Sequence, residues 1–310
     1  MLYRSLGTTG LQVSALGLGA ASLGGIYGPI DERRAVRTVH RAFELGVTLF
    51  DASPYYGNTR GETVLGEALR TLPRDGYVLS TKAGRYGPDD FDFSPARLRQ
   101  SLDESLRRLQ TDYVDVFLLH DVEFVALDRT LQEGLEALDA LKATGKVRQI
   151  GFSGLPLAIF RRALALGVPC DVMLSYCHAT LFDRTLSALA PDLAERGIGL
   201  LNASPAAMGL LSSHGPQAWH PAPAHVKAAC KRAAELCTTR GVELAELALS
   251  FSCSLPGPAA TLCGTAEPDE LERNVRAATT ATDPELLAAV LALLAPIQDQ
   301  TWVQGRPENQ

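Results

Sequence analysis

Phe50-Asp51-Ala52-Ser53-Pro54-Tyr55-Tyr56-Gly57 is the stretch whose reading decides the fold. Residues 48–53 read as a short strand with an acid, Asp51, near its end, and Pro54 and Gly57 mark the turn that follows. Two later segments repeat that form. Tyr77-Val78-Leu79-Ser80-Thr81 runs into Lys82, and Val114-Asp115-Val116-Phe117-Leu118-Leu119 runs into His120. Asp51, Tyr56, Lys82 and His120 therefore stand at or just past the carboxyl ends of three successive strands. In a parallel α/β barrel those ends meet on one face, and that face carries the chemistry.

Outward from these segments the chain alternates strand and helix. Short Val/Ile/Leu-rich runs at 15–20, 48–53, 77–83, 114–120, 147–152, 171–177, 198–203 and 260–264 are each followed by a helical pattern. That rhythm predicts parallel strands joined by crossover helices, an α/β fold closing as a (β/α)8 barrel. Leu98, Leu102, Leu106 and Leu109 line one helix face, as do Leu131, Leu135, Leu138 and Leu141. Ser94-Pro95 reads as an N-cap followed by an N1 proline. Residues 2–14, around Gly7-Thr8-Thr9-Gly10, read as a β-hairpin that plugs the bottom of the barrel. Residues 205–224 form a long loop of the kind that usually serves function, with Trp219 and His220 expected either to close over a substrate or to form a subunit contact. Residues 284–295 predict an extra C-terminal helix. With no linker or low-complexity block, residues 1–310 are expected to form one domain.

The chain has 310 residues, 46% of them hydrophobic, and a formal net charge of −6 with no Lys/Arg block. Nucleic acid and anionic membrane surfaces are poor partners for that charge balance. Six cysteines without a Cys-x-x-Cys pair point to free thiols in a reducing compartment, and no metal-ligand cluster stands out. No signal-peptide pattern opens the sequence and no apolar run reaches the roughly 18 residues of a membrane helix. A cytoplasmic protein acting on a small molecule is expected, with a homo-oligomer possible.

Each of the four polar residues has an ordinary structural reading when taken alone: a turn aspartate, a snorkelling lysine, a core histidine, a packing tyrosine. Their conjunction on one barrel face points to chemistry. A tyrosine hydroxyl titrates near pH 10, and an adjacent ammonium lowers that value. Asp51 would hold Lys82 charged, Lys82 would tune Tyr56 as proton carrier, and His120 would orient the reacting oxygen. A proton handler beside an oxygen-orienting group fits carbonyl/alcohol redox chemistry, with hydride carried by a cofactor. Gly17-Leu18-Gly19-Ala20-Ala21-Ser22 lacks the third glycine of a dinucleotide fingerprint and reads better as a barrel strand of small residues open to a ligand. In α/β barrels phosphate sites follow strands seven and eight, which here means Ser204 to Leu211 and Gly264 to Asn274.

Leu6-Gly7-Thr8-Thr9-Gly10-Leu11, the octet 50–57, Ser80-Thr81-Lys82, Leu118-Leu119-His120, the segment Gly145 to Ser153 and the late Gly264…Asn274 segment occur in an order that resembles the aldo-keto reductase family along essentially the whole chain. The resemblance implies a catalytic tetrad of Asp51, Tyr56, Lys82 and His120. It implies a nicotinamide cofactor held by Ser153, Ser175, Ser204, Gly209, Gly264, Thr265, Glu270 and Asn274, with Ser153 and Ser175 on the carboxamide. Where NADPH-using members carry basic residues in the late segment, this chain has Ala266, Glu267 and Glu270. A carboxylate repels a 2′-phosphate and accepts from a ribose 2′-hydroxyl, so NAD is expected, with Glu270 as reader. Met173 stands where many members place a glutamine, and Ala203 where many place an aromatic residue. Several stretches resemble sugar-oxidising members, which implies an aldose 1-dehydrogenase acting on L-galactose or a near relative such as L-fucose. Two alternatives are an NADPH-dependent carbonyl reductase and a regulatory barrel that binds nucleotide without turnover.

Overall fold

A computed structural model describes residues 1–310. Eight parallel strands close into a barrel: β3 (Leu16–Gly19), β4 (Leu49–Asp51), β5 (Val78–Ala83), β6 (Val114–Leu119), β7 (Val147–Gly154), β8 (Val172–Tyr176), β9 (Gly199–Ala203) and β10 (Ala260–Cys263), with β10 pairing back onto β3. All eight lie within two residues of the sequence expectation. Parallel pairing needs long crossovers, and helices supply them. They are α1 (Glu32–Glu44), α2 (Arg60–Leu69), α3 (Pro95–Leu109), α4 (Leu127–Arg129), α5 (Leu135–Lys142), α6 (Leu157–Leu166), α7 (Ala190–Glu195), α8 (Ala224–Thr239), α9 (Leu244–Ser254) and α10 (Pro268–Thr279). A last helix, α11 (Pro284–Leu294), follows the barrel as expected, with Asp283 accepting from its first amides.

The leucine stripes have the predicted destination. Leu98, Leu102, Leu106 and Leu109 of α3, and Leu131, Leu135, Leu138 and Leu141, are buried in the large cluster between the helices and the barrel wall. Ser94 caps α3 by accepting from the Arg97 amide, and Pro95 follows it. The second stripe departs from a simple helix: Thr130–Gly134 forms a π-turn between α4 and α5.

β1 (Tyr3–Ser5) and β2 (Gln12–Ser14) pair antiparallel as the hairpin. Leu6 and Val13 are fully buried in one cluster with Leu49, Val78, Val116, Val172, Leu201 and Leu262 of the barrel strands. The hairpin therefore fills the barrel end remote from the polar strand termini. Shortening Leu6 to alanine opens a cavity in that plug and should cost about 2–5 kcal/mol of stability. Urea unfolding would read the loss, and kinetic constants should stay near those of the parent protein.

At the other end the octet turns sharply. Gly57 has φ +61°, and a Cβ there would stand 2.0 Å from the Gly24 carbonyl oxygen. Only glycine allows both the left-handed backbone and that approach. The turn carrying Tyr56 is thereby pressed against the loop after β3. No single helix is long and apolar enough to cross a membrane.

Candidate active site

Asp51 ends β4, Lys82 is the penultimate residue of β5, and His120 follows β6. Strand order brings these ends side by side, and all three side chains are buried. Lys82 Nζ donates to Asp51 Oδ1 at 2.5 Å, to the Ala52 carbonyl at 2.9 Å and to the Tyr56 hydroxyl at 3.1 Å. Its three protons are thus accounted for. Ser80 Oγ donates to the second Asp51 oxygen at 2.8 Å. The rings of Tyr56 and His120 meet edge to face, centroids 5.6 Å apart. His120 Nδ1 lies 2.8 Å from Ser53 Oγ, and its Nε2 lies 3.6 Å from Asp121 Oδ2.

Burial opposes charge at Lys82, His120 and Tyr56; partners overcome it only at Lys82. For Lys82, burial works against the ammonium, but Asp51 and the Tyr56 oxygen outweigh it and hold the amine above its usual range. His120 is driven well below the ordinary histidine value by burial, helped by the positive charges of Lys82 and Arg85, so its imidazole is neutral. Tyr56 corrects the expectation of a lowered phenol. Burial pushes it up to about 12; Lys82 pulls it down, while Asp51 and Asp121 push further up. The ammonium is where the sequence suggested, but desolvation of the phenolate is the larger effect.

Two cavities meet at Tyr56. One, about 420 Å³, runs from Asp51 and Tyr56 past Gly19, Ala203 and Ser204 to the start of α10. Ser204, Gly209, Gly264, Thr265, Glu270 and Asn274 all line it. Gly19 ends β3 with open space where a side chain would begin. The second, about 490 Å³, holds Tyr56, Lys82, His120, Arg85, Asp121, Ser153, Tyr176, Trp219 and Gln304. Ser153 therefore faces the second cavity; its Oγ accepts from the Asp121 amide at 3.3 Å.

Ser175 departs from its expected place. It is fully buried, lines neither cavity, and its hydroxyl has no hydrogen-bond partner. Side chains alternate along a strand. Leu174 occupies the inward position and lines both cavities, so Met173 and Ser175 turn to the outer layer. The residue of this strand that faces the cavities is accordingly Leu174, not Met173. Ala203 does line both cavities.

Several site residues escaped the sequence reading. Arg85 Nη1 donates to Asp121 Oδ2 at 2.5 Å, and its guanidinium lies over the rings of Tyr55, Phe91 and Phe124. Asp121 sits in the left-handed region, φ +55°, directly after His120. Ser80 could have been found by alternation, since it precedes Lys82 by two and must share its face. Gln304 donates to the Tyr176 hydroxyl at 2.8 Å from the C-terminal tail, and that tail offered no periodic signal.

The model of the Aldo/keto reductase family matches residues 15–295. L-galactose dehydrogenase of Arabidopsis thaliana is 46% identical over 99% of this chain and 98% of its own. D-arabinose 1-dehydrogenase of Saccharomyces cerevisiae is 34% identical over 78% of this chain and 76% of its own. Among solved structures, the holo form of aldo-keto reductase AKR11C1 from Bacillus halodurans superposes with a TM-score of 0.80, at 28% identity and 99% coverage of both chains. With the closed barrel, the hairpin and the buried Asp-Tyr-Lys-His cluster already in view, these matches make the chain a member of the aldo/keto reductase family, an oxidoreductase.

Proposed function

We propose that the protein is an NAD-dependent aldose 1-dehydrogenase that oxidises the anomeric carbon of a pyranose, L-galactose foremost, to a lactone. The observation that carries this reading is the buried Arg85–Asp121 pair set beside His120 in the second cavity. A guanidinium and a carboxylate that neutralise each other offer donors and acceptors without demanding a charged ligand, which suits a polyhydroxylated neutral one. Tyr176 and Gln304 extend the polar wall. The similarity to two sugar dehydrogenases supports the same substrate class.

The first cavity fits a dinucleotide. It is continuous from Tyr56 to α10, and a backbone stretch without side chain, Gly19, borders it. Ser204, Gly209, Gly264, Thr265, Glu270 and Asn274 would hold such a cofactor. When bound, a nicotinamide supplies the acceptor for the hydride that leaves the anomeric carbon. The protein's own part is proton handling and orientation. Tyr56, as the phenolate that the Lys82 ammonium favours, takes the proton of the anomeric hydroxyl and becomes the neutral phenol, and Asp51 with Ser80 fixes Lys82. The neutral His120 orients the same oxygen through Nε2.

The acidic start of α10 favours NAD. Thr265 Oγ1 donates to Glu270 Oε2 at 2.7 Å, which leaves the other carboxylate oxygen for a ribose hydroxyl. Two arginines of this region are engaged by acids, Arg34 with Glu267 and Arg273 with Glu246. A 2′-phosphate would meet carboxylates without a free cation. Reduction of a carbonyl is the second reading, favoured by a phenol that burial keeps protonated and ready to donate. Steady-state rates with L-galactose, L-fucose, D-arabinose, L-gulose and pyridoxal, each with NAD and NADP, test the proposal. Fastest turnover with an L-configured aldose and NAD is expected, and Glu270→Ala should erode the preference for NAD by roughly tenfold, one hydrogen bond to a charged group. A clear NADP preference, or aldehyde reduction outpacing aldose oxidation, would overturn it.

A further inference from the structure

We propose that Ser53 is a positioning residue that sets the tautomer of His120, so that Nε2 carries a proton toward the second cavity. The proposal rests on the aldose reading only for the identity of the oxygen that receives this hydrogen bond. Ser53 is fully buried and lines neither cavity, so it acts through His120 and not on the ligand.

The tautomer follows from counting partners. Ser53 Oγ accepts from the Tyr55 amide at 3.1 Å. Its own proton needs an acceptor, and His120 Nδ1, at 2.8 Å, is the one within reach. A serine that accepted from both groups would leave its hydroxyl proton buried without a partner, which costs more than the exchange returns. Ser53 therefore donates and Nδ1 presents its lone pair. A neutral imidazole has one N–H, and it then falls on Nε2. The surroundings agree: Asp121 Oδ2 lies 3.6 Å from Nε2, the side on which a proton is favoured. The Ser53–Tyr55 contact is local, two residues apart in the turn that also carries Tyr56. One rigid turn thus positions both the proton carrier and, through Ser53, the donor that orients the reacting oxygen.

With the other tautomer Nε2 would turn a lone pair toward an oxygen that gains negative charge as its proton leaves. Ser53→Ala removes the lock. We expect kcat for aldose oxidation to fall roughly tenfold, a fraction of what general acid–base groups contribute, with the Michaelis constant for NAD unchanged. Ser53→Cys, which keeps a weak donor, should recover part of the loss. Nitrogen-15 NMR of histidine-labelled protein reads the tautomer directly. In the parent enzyme Nδ1 of His120 should give the shift of an unprotonated nitrogen and Nε2 that of a protonated one, and Ser53→Ala should mix the two. The opposite tautomer in the parent enzyme overturns the proposal even if the alanine variant fails to fold. So does a folded Ser53→Ala with parent kinetics and an unmixed spectrum. The spectrum needs no substrate, so a failure of the aldose reading, seen as absent sugar turnover in the parent enzyme, stays separate from a failure of this one.

Discussion

Tyr56→Phe should lower kcat for aldose oxidation by roughly 10²–10⁴-fold, the range contributed by a positioned proton-transfer group. Cofactor affinity should change little. The phenol oxygen is the one member of the cluster that touches Lys82 and faces both cavities. Removing it leaves the ring, its edge-to-face contact with His120 and the fold of the turn in place. The loss is therefore one of proton transfer, and fluorescence titration with NADH should give the parent dissociation constant. The parent enzyme's pH profile gives an independent sign. A phenol held at about 12 is protonated at neutral pH, and each unit of added pH raises its phenolate fraction about tenfold. Oxidation should accelerate into the alkaline range, while reduction, which uses the protonated form, should not. An oxidation rate that is flat from pH 7 to 10 would exclude Tyr56 as the rate-limiting base. Near-parent turnover in Tyr56→Phe would exclude it altogether.

Lys82→Met should damage both stability and rate. Lys82 and Asp51 are almost wholly buried and joined at 2.5 Å. Deleting one partner of such a pair leaves a charge in low dielectric and costs about 3–5 kcal/mol. Ser80 remains as a donor to Asp51, one hydrogen bond in place of an ion pair. A fall in the urea midpoint would register the cost, and adding Asp51→Asn to Lys82→Met should recover a large part of it. Catalysis should not recover in the double variant. Lys82 is the group that pulls the Tyr56 phenol down against burial, so without it the phenol moves further above its already raised value. The oxidation profile would then shift toward still higher pH. A double variant that regained turnover with stability would show that the ammonium serves the fold alone.

Much of the architecture was legible because it is locally encoded. Short Val/Ile/Leu-rich runs, each followed by a helical pattern, placed all eight barrel strands, and leucines at helical spacing placed the barrel-packed faces of α3 and α5. The π-turn at Thr130–Gly134 was not legible, because its extra residue leaves the leucine spacing intact. Ser175 was assigned a face by resemblance, whereas strand alternation through Leu174 turns it outward. Trp219 lines the second cavity and is half exposed, while His220 is buried against Trp302 and the Ala207 carbonyl.

The sequence by itself determined which four polar residues share a face, since a barrel of this strand order brings the ends of β4, β5 and β6 together whatever their side chains do. It also determined the acidic character of the turn before α10. Tertiary structure alone decided the balance at Tyr56: an ammonium partner is visible in sequence, but the cost of burying a phenolate exists only once the packed protein has excluded water. The same holds for the Arg85–Asp121 pair, the proton on His120 and the reach of Gln304 to Tyr176. Each joins residues distant in the chain through ångström-scale geometry, and no local pattern encodes a distance of that kind.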